Sequence, residues 1–229
     1  VNSPAERHAM QIAIVLFDRF TALDAVGPYE MLCRIPGAKT VFVAEQPGPV
    51  RGDRGSLALV ADKTLDEVPT PDIVLVPGGP GQSAQMDNEA LLGWLRTADA
   101  TSTWTTSVCT GSLLLAAAGL LKGRRATSHW LALDVLAVFG AEPTGERVVT
   151  DGKFITAAGV SSGIDMGLTL VGGIAGDEYA QAIQLGTEYD PPRTTPARRR
   201  RPRLRSSRSS APRAGSSSIR SCPLTELDR

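Results

Sequence analysis

A doubly wound α/β fold, with a mostly parallel sheet and helices on both faces, is predicted by three features of the sequence. Gln11–Phe17 and Asp72–Val76 are continuous apolar runs of strand length, the pattern of parallel strands buried on both sides. Such runs alternate along the chain with helix-period segments, as at Asn88–Thr97, where Leu91, Leu92 and Leu95 share one face. Several of the strand-like runs lead straight into Gly-rich or small-residue turns, notably Pro77-Gly-Gly-Pro-Gly81 and Cys109-Thr-Gly-Ser112.

In chain order, the first strand (11–17) is followed by a loop and a helix over 23–32, with Asp24 near its start and Glu30 near its end. Residues 40–44 read as the second strand, broken by Pro47, Gly48 and Pro49, and 57–60 as a side hairpin strand. Strand 72–76 runs into the Pro77–Gly81 turn. Helix 88–97 and the β-branched strand 102–108 lead to Cys109, and a helix of small residues over 111–118 follows at once. A helix is expected at 130–139. Residues 147–149 and 154–157 flank Asp151-Gly152, a two-residue hairpin signal. Helices at 162–174 and 177–185 complete the domain.

The 229 residues divide into an N-terminal extension (1–9), one α/β domain (10–190) and a tail (191–229). The net charge of zero conceals a division. From Arg193 onward eleven arginines face only Glu226 and Asp228, so the rest of the chain carries a matching acidic excess. The Arg/Ser/Pro-rich tail has too few apolar residues for a core and is expected to be disordered. Its composition suits either a nucleic-acid arm or a non-functional extension, such as the product of a shifted reading frame in GC-rich coding sequence. The absence of a helix-turn-helix pattern favours the second and disfavours nucleic acid as a partner.

No apolar run reaches membrane-spanning length, and 1–9 lack the hydrophobic stretch of a signal peptide, so a cytoplasmic protein is expected. Three cysteines without CxxC spacing, together with two histidines, argue against a disulfide framework or a zinc site.

The densest chemical signal is Thr105-Thr-Ser-Val-Cys-Thr-Gly-Ser112. A strand that turns directly into a helix exposes its last residue at the carboxyl edge of the sheet. The helix N-terminus there favours thiolate. Backbone N–H groups after Cys109, with those of Gly78 and Gly79, are candidate oxyanion donors. The same pattern equally suits a buried cysteine serving as a small hydrophobe. Asp24, among Leu23, Ala25 and Val26, has the ordinary role of favouring the helix dipole. The fold also allows it to meet Cys109 where strand ends converge. His129 reads as a hydrogen-bonded structural histidine. Pro77–Gly81 matches neither phosphate-loop motif and suits a backbone anion site better.

Seven motifs in order carry a resemblance: Leu23-Asp-Ala-Val-Gly-Pro28, Val76-Pro-Gly-Gly79, Ser107-Val-Cys-Thr-Gly-Ser112, Ala117-Ala-Gly-Leu-Leu121, Ala126-Thr-Ser-His-Trp130, Glu146-Arg-Val-Val149 and Ser162-Gly-Ile-Asp165. Over 10–189 the chain resembles the ThiJ/PfpI superfamily, and within it most the isocyanide (isonitrile) hydratases. The amidotransferase-like domains of AraC-type regulators resemble it nearly as well. The resemblance implies a flavodoxin-like, class I glutamine amidotransferase-like fold, a homodimer, and a small-molecule substrate handled without metal or organic cofactor.

By the same resemblance Cys109 is the nucleophile and Asp24 its partner carboxylate, with Gly78, Gly79, Thr110, Ala158 and Gly159 forming the oxyanion and substrate-binding surround. The implied reaction is addition of water to an isocyanide, giving an N-substituted formamide. The alternatives are a non-catalytic ligand-sensing domain and a glyoxalase- or deglycase-like enzyme. Thr110 stands where PfpI-type peptidases carry histidine, which counts against peptidase activity. Ala157-Ala158-Gly159 replaces a glycine run of the hydratases, so the Ala158 methyl is expected to narrow the pocket or alter a nearby helix. Their ordered C-terminal segment has no counterpart in 193–229.

Overall fold

The structure, a computed structural model, describes residues 9–190. The expectations for the N-terminal extension and the basic tail fall outside the described residues.

The elements run β1 (Gln11–Val15), α1 (Ala22–Leu32), β2 (Lys39–Ala44), β3 (Gly48–Arg51), β4 (Ala58–Ala61), β5 (Lys63–Thr64), β6 (Ile73–Val76), α2 (Gln82–Gln85), α3 (Glu89–Thr101), β7 (Trp104–Val108), α4 (Gly111–Ala117), β8 (Arg125–Ala126), α5 (Leu133–Val138), β9 (Glu142–Pro143), β10 (Val148–Asp151), β11 (Phe154–Ala157), α6 (Ser162–Ala175) and α7 (Asp177–Gly186). The main sheet has seven strands in the order β10-β11-β7-β6-β1-β2-β5. Every pairing in it is parallel except β10 with β11, the hairpin that turns at Asp151-Gly152.

The two most apolar strands lie side by side at the centre. All four residues of β6 are fully buried, as are Ile12, Ala13 and Ile14 of β1. From β1 the chain first moves to β2 on one side and later returns to β6 on the other. The strand order therefore reverses at β1/β6, where the ends of parallel strands diverge and leave a crevice. The loops after β1, β6 and β7 all open at this carboxyl edge.

Helix α1 packs on α6 through small residues. A Cβ on Gly163 would lie 3.1 Å from Pro28 Cδ, and one on Gly167 would lie 2.8 Å from Met31 Cβ. Pro28, inside α1, lacks the N–H that would bond the carbonyl of Asp24 four residues earlier.

Two expectations are corrected and one strand is added. The second strand ends at Ala44, before Pro47–Pro49, and Gly48–Arg51 then form a separate strand, β3, paired antiparallel with β4. In a two-stranded ribbon alternate N–H groups face away from the partner, so Pro49 forfeits no ladder bond. The helix expected over 130–139 is confined to 133–138. His129 Nδ1 instead accepts from Leu131 N–H at 3.3 Å, and a turn replaces the first helical residues. Helix α3 runs four residues further than expected, to Thr101, and begins at Glu89 after Asn88, whose side chain accepts from the N–H groups of Ala90 and Leu91. Among the described residues no helix is long and apolar enough to cross a membrane.

Candidate active site

The site is built on the turn between β7 and α4. Cys109 adopts φ = 58°, a left-handed conformation that a residue with a Cβ takes at a cost of about 1–2 kcal/mol. Its surroundings hold it there. The Cys109 N–H is shared between the carbonyls of Ala157 (3.0 Å) and Ala158 (2.8 Å) at the end of β11. The Cys109 carbonyl accepts from the hydroxyls of Ser128 (3.0 Å) and Ser112 (3.2 Å). Two residues on, a Cβ at Gly111 would sit 2.1 Å from the Val76 carbonyl oxygen, so only glycine lets α4 start so close to β6. The tight turn expected from the sequence thus has a steric basis in the neighbouring strand.

Asp24, in the first turn of α1, is brought to this elbow and is completely buried. Its Oδ2 accepts from Gly78 N–H at 3.0 Å. Its Oδ1 has no hydrogen-bond partner, and the Cys109 thiol is near enough to act on the carboxyl group. Burial raises the Asp24 pKa to about 7. The Gly78 N–H and the Cys109 thiol oppose that rise, and the charge of Asp53 adds to it.

Burial also raises the Cys109 thiol, and the negative charge of Asp24 raises it further. The N–H groups of Thr110 and Val160 point at the sulfur and act the other way. The expected help from the start of α4 is therefore present in the Thr110 N–H but is outweighed. The two acidic groups share one dry site, so a charge on Asp24 opposes ionisation of Cys109, and a thiolate forms there only as the thiol proton passes to Asp24.

The surrounding residues sort differently from the expectation. Gly78 and Gly79 do not offer free oxyanion donors: the first N–H is spent on Asp24 and the second on Thr110 Oγ1, at 3.0 Å. Their role is close approach, since a Cβ on Gly78 would lie 2.5 Å from Thr110 N, and one on Gly79 2.5 Å from Thr21 N. Thr110, fully buried, supplies its N–H to the sulfur and its hydroxyl to the Gly79 loop.

Ala158 supports the elbow through its carbonyl, while its own N–H is tied to Arg147 O at 2.9 Å. Gly159 makes room for His129: a Cβ there would lie 2.8 Å from the imidazole Cδ2. Val160 was not anticipated. It is a β-branched residue held at φ = 36°, and its N–H faces the thiol. No side-chain pattern announces a role carried by a backbone N–H.

Cys109 is 5% exposed, which leaves the sulfur barely reachable. A cavity of about 490 Å³ at the carboxyl ends of β1 and β2, lined by Phe17, Asp18, Glu45, Arg51 and Gln85 among others, lies apart from it and does not include Cys109.

Comparison with known proteins agrees with this architecture. The DJ-1/PfpI family model matches residues 10–172. The chain is 42% identical over 183 residues to isonitrile hydratase of Pseudomonas putida, covering 80% of both chains. It is 33% identical over 144 residues to the HTH-type transcriptional regulator CdhR of Pseudomonas aeruginosa, matching 62% of this chain but only 42% of the regulator. Among solved structures, a ThiJ/PfpI family protein from Pseudomonas syringae superposes with a TM-score of 0.77 at 40% identity, covering 83% of each chain. The chain belongs to the DJ-1/PfpI family.

Proposed function

We propose that this chain is a cysteine-dependent hydratase that adds water to an isocyanide and releases an N-substituted formamide. The observation that carries the reading is the dry Asp24–Cys109 pair on the strained elbow, a buried carboxyl near a buried thiol. The 42% identity to an isonitrile hydratase supports this choice of substrate class. The resemblance also makes a homodimer the proposed assembly.

The reaction begins as Cys109 passes its proton to the Asp24 carboxylate, giving thiolate and acid. The sulfur attacks the terminal isocyanide carbon, forming a C–S bond, and Asp24 delivers its proton to that carbon. The product of this step is a thioimidate, S–CH=N–R, beside an Asp24 carboxylate. A water then adds to the same carbon while Asp24 takes one of its protons and passes it to nitrogen. Asp24 next takes the remaining hydroxyl proton as the C–S bond breaks and the carbonyl forms. Formamide leaves, and the thiolate and the Asp24 acid are restored. The N–H groups of Thr110 and Val160 stabilise the sulfur whenever it carries charge.

The test is formamide production from a simple alkyl isocyanide by the purified protein and by Cys109→Ala, with methylglyoxal as a parallel substrate. Formamide formed by the parent protein and lost in the variant is expected. Equal rates in the two proteins, or turnover of methylglyoxal with none of the isocyanide, would overturn the proposal.

A further inference from the structure

Outside the Asp24–Cys109 pair, one hydrogen-bonded path runs from a surface turn into the site. Thr21 is the N-cap residue of α1, yet its side chain does not cap the helix. Threonine at that position ordinarily accepts from an N–H of the first turn. Here Thr21 Oγ1 instead donates to Asp53 Oδ2 at 3.2 Å. Asp53 sits in the turn joining β3 and β4, and that ribbon is sewn to the loop after β1. Arg19 N–H donates to Arg51 O at 2.8 Å, Asp53 N–H donates to Phe20 O at 2.9 Å, and Phe20 and Gly52 form a parallel bridge.

From Thr21 the path continues inward. Its N–H donates to Gly78 O (2.8 Å), its carbonyl accepts from Asp24 N–H (3.0 Å), and Gly78 N–H returns to Asp24 Oδ2. Thr21, Gly78 and Asp24 thus close a ring, and Asp53 grips that ring from outside.

We propose that Asp53 is a positioning residue for Asp24, clamping Thr21 at the start of α1 and fixing a negative charge beside the buried carboxyl. This rests on the reading of Asp24 and Cys109 as a proton-sharing pair. The Asp53 charge acts on Asp24 in the direction that retains the proton. The other faces of α1 do not compete. Gly163, Ile164 and Gly167 of α6 pack against it without charge, the Pro77 loop contributes only the Gly78 N–H, and the elbow contributes Cys109. On the ribbon itself Arg51 places its guanidinium on Gly55 O. Asp53 touches no reacting atom. It acts through Thr21 and through its charge.

The experiment follows alkylation of Cys109 by iodoacetamide against pH, resolved by mass spectrometry of the Cys109 peptide so that Cys33 and Cys222 do not interfere. In the parent protein the midpoint is expected near the pH at which the pair loses its first proton. Asp53→Asn keeps an acceptor for Thr21 but removes the charge, and should lower the midpoint by about half a pH unit with a plateau rate within about twofold. Thr21→Val removes the donor and should cut the plateau rate several-fold, with Thr21→Ser restoring it. A parent midpoint near neutrality that Asp53→Asn leaves unmoved would overturn the role of Asp53 while leaving the pair intact. A parent midpoint of an ordinary thiol, unchanged by Asp24→Asn, would remove the pair and the role together.

Discussion

Replacing Asp24 by asparagine should stabilise the protein at neutral and mildly alkaline pH while removing the proton that the proposed reaction assigns to it. The carboxyl has a pKa of 3.8 when unfolded and about 7 when folded, chiefly because burial penalises its charge. Between those values the folded state holds a proton that the unfolded state has released, so stability falls as pH rises from about 4 to 7. A gap of roughly three pH units corresponds to about 4 kcal/mol at pH 8, fully developed above the folded pKa and absent below the unfolded one. Asparagine carries no charge at any pH and retains an oxygen for Gly78 N–H, so it escapes that cost. Its amide group must still be accommodated beside the thiol, which returns part of the gain.

The assay is urea unfolding of both proteins at pH 5 and pH 8. The upper limit keeps the thiol of the unfolded chain mostly protonated. Asp24→Asn should be more stable than the parent by about 2–4 kcal/mol at pH 8, an advantage that shrinks by about 2–3 kcal/mol at pH 5, where the carboxyl costs less. A variant less stable than the parent at pH 8, or a difference that does not change with pH, would refute the claim that Asp24 is a strained, proton-retaining acid.

Three further outcomes follow from the elbow. Cys109→Gly should be more stable than Cys109→Ala by about 1 kcal/mol in urea unfolding, because φ = 58° suits glycine and not alanine, while neither turns over substrate. Gly111→Ala, whose Cβ would meet the Val76 carbonyl at 2.1 Å, should cost about 2–4 kcal/mol in the same assay and slow Cys109 alkylation as the elbow is displaced. Thr110→Val strands the buried Gly79 N–H and should cost about 1–3 kcal/mol, largely recovered in Thr110→Ser, which thermal unfolding can measure.

The sequence exposed the parts of this architecture that depend on local pattern. The apolar runs of β1 and β6 could lie only inside a parallel sheet, and Val108-Cys-Thr-Gly111 announced a tight strand-to-helix turn. The Asp151-Gly152 hairpin was equally plain, with Gly152 at φ = 60°. What escaped depends on partners far away in the chain. Gly78 and Gly79 looked like donors awaiting a substrate, and only the fold shows their N–H groups occupied by Asp24, 54 residues earlier, and Thr110, 31 residues later. Strand β3 escaped because the pairing of Pro49 with Val60 in an isolated ribbon has no local signature. Val160 contributes a backbone N–H through a strained φ, and an aliphatic side chain gives no notice of that.

The central claim is that Cys109 attacks the substrate carbon, and it is tested most directly by quenching the reaction with an alkyl isocyanide within the first turnover and weighing the protein. The account predicts an adduct equal in mass to one isocyanide molecule on the Cys109 peptide, appearing before formamide and decaying as formamide accumulates. Formamide released at full rate with no adduct on Cys109 at any time would contradict it.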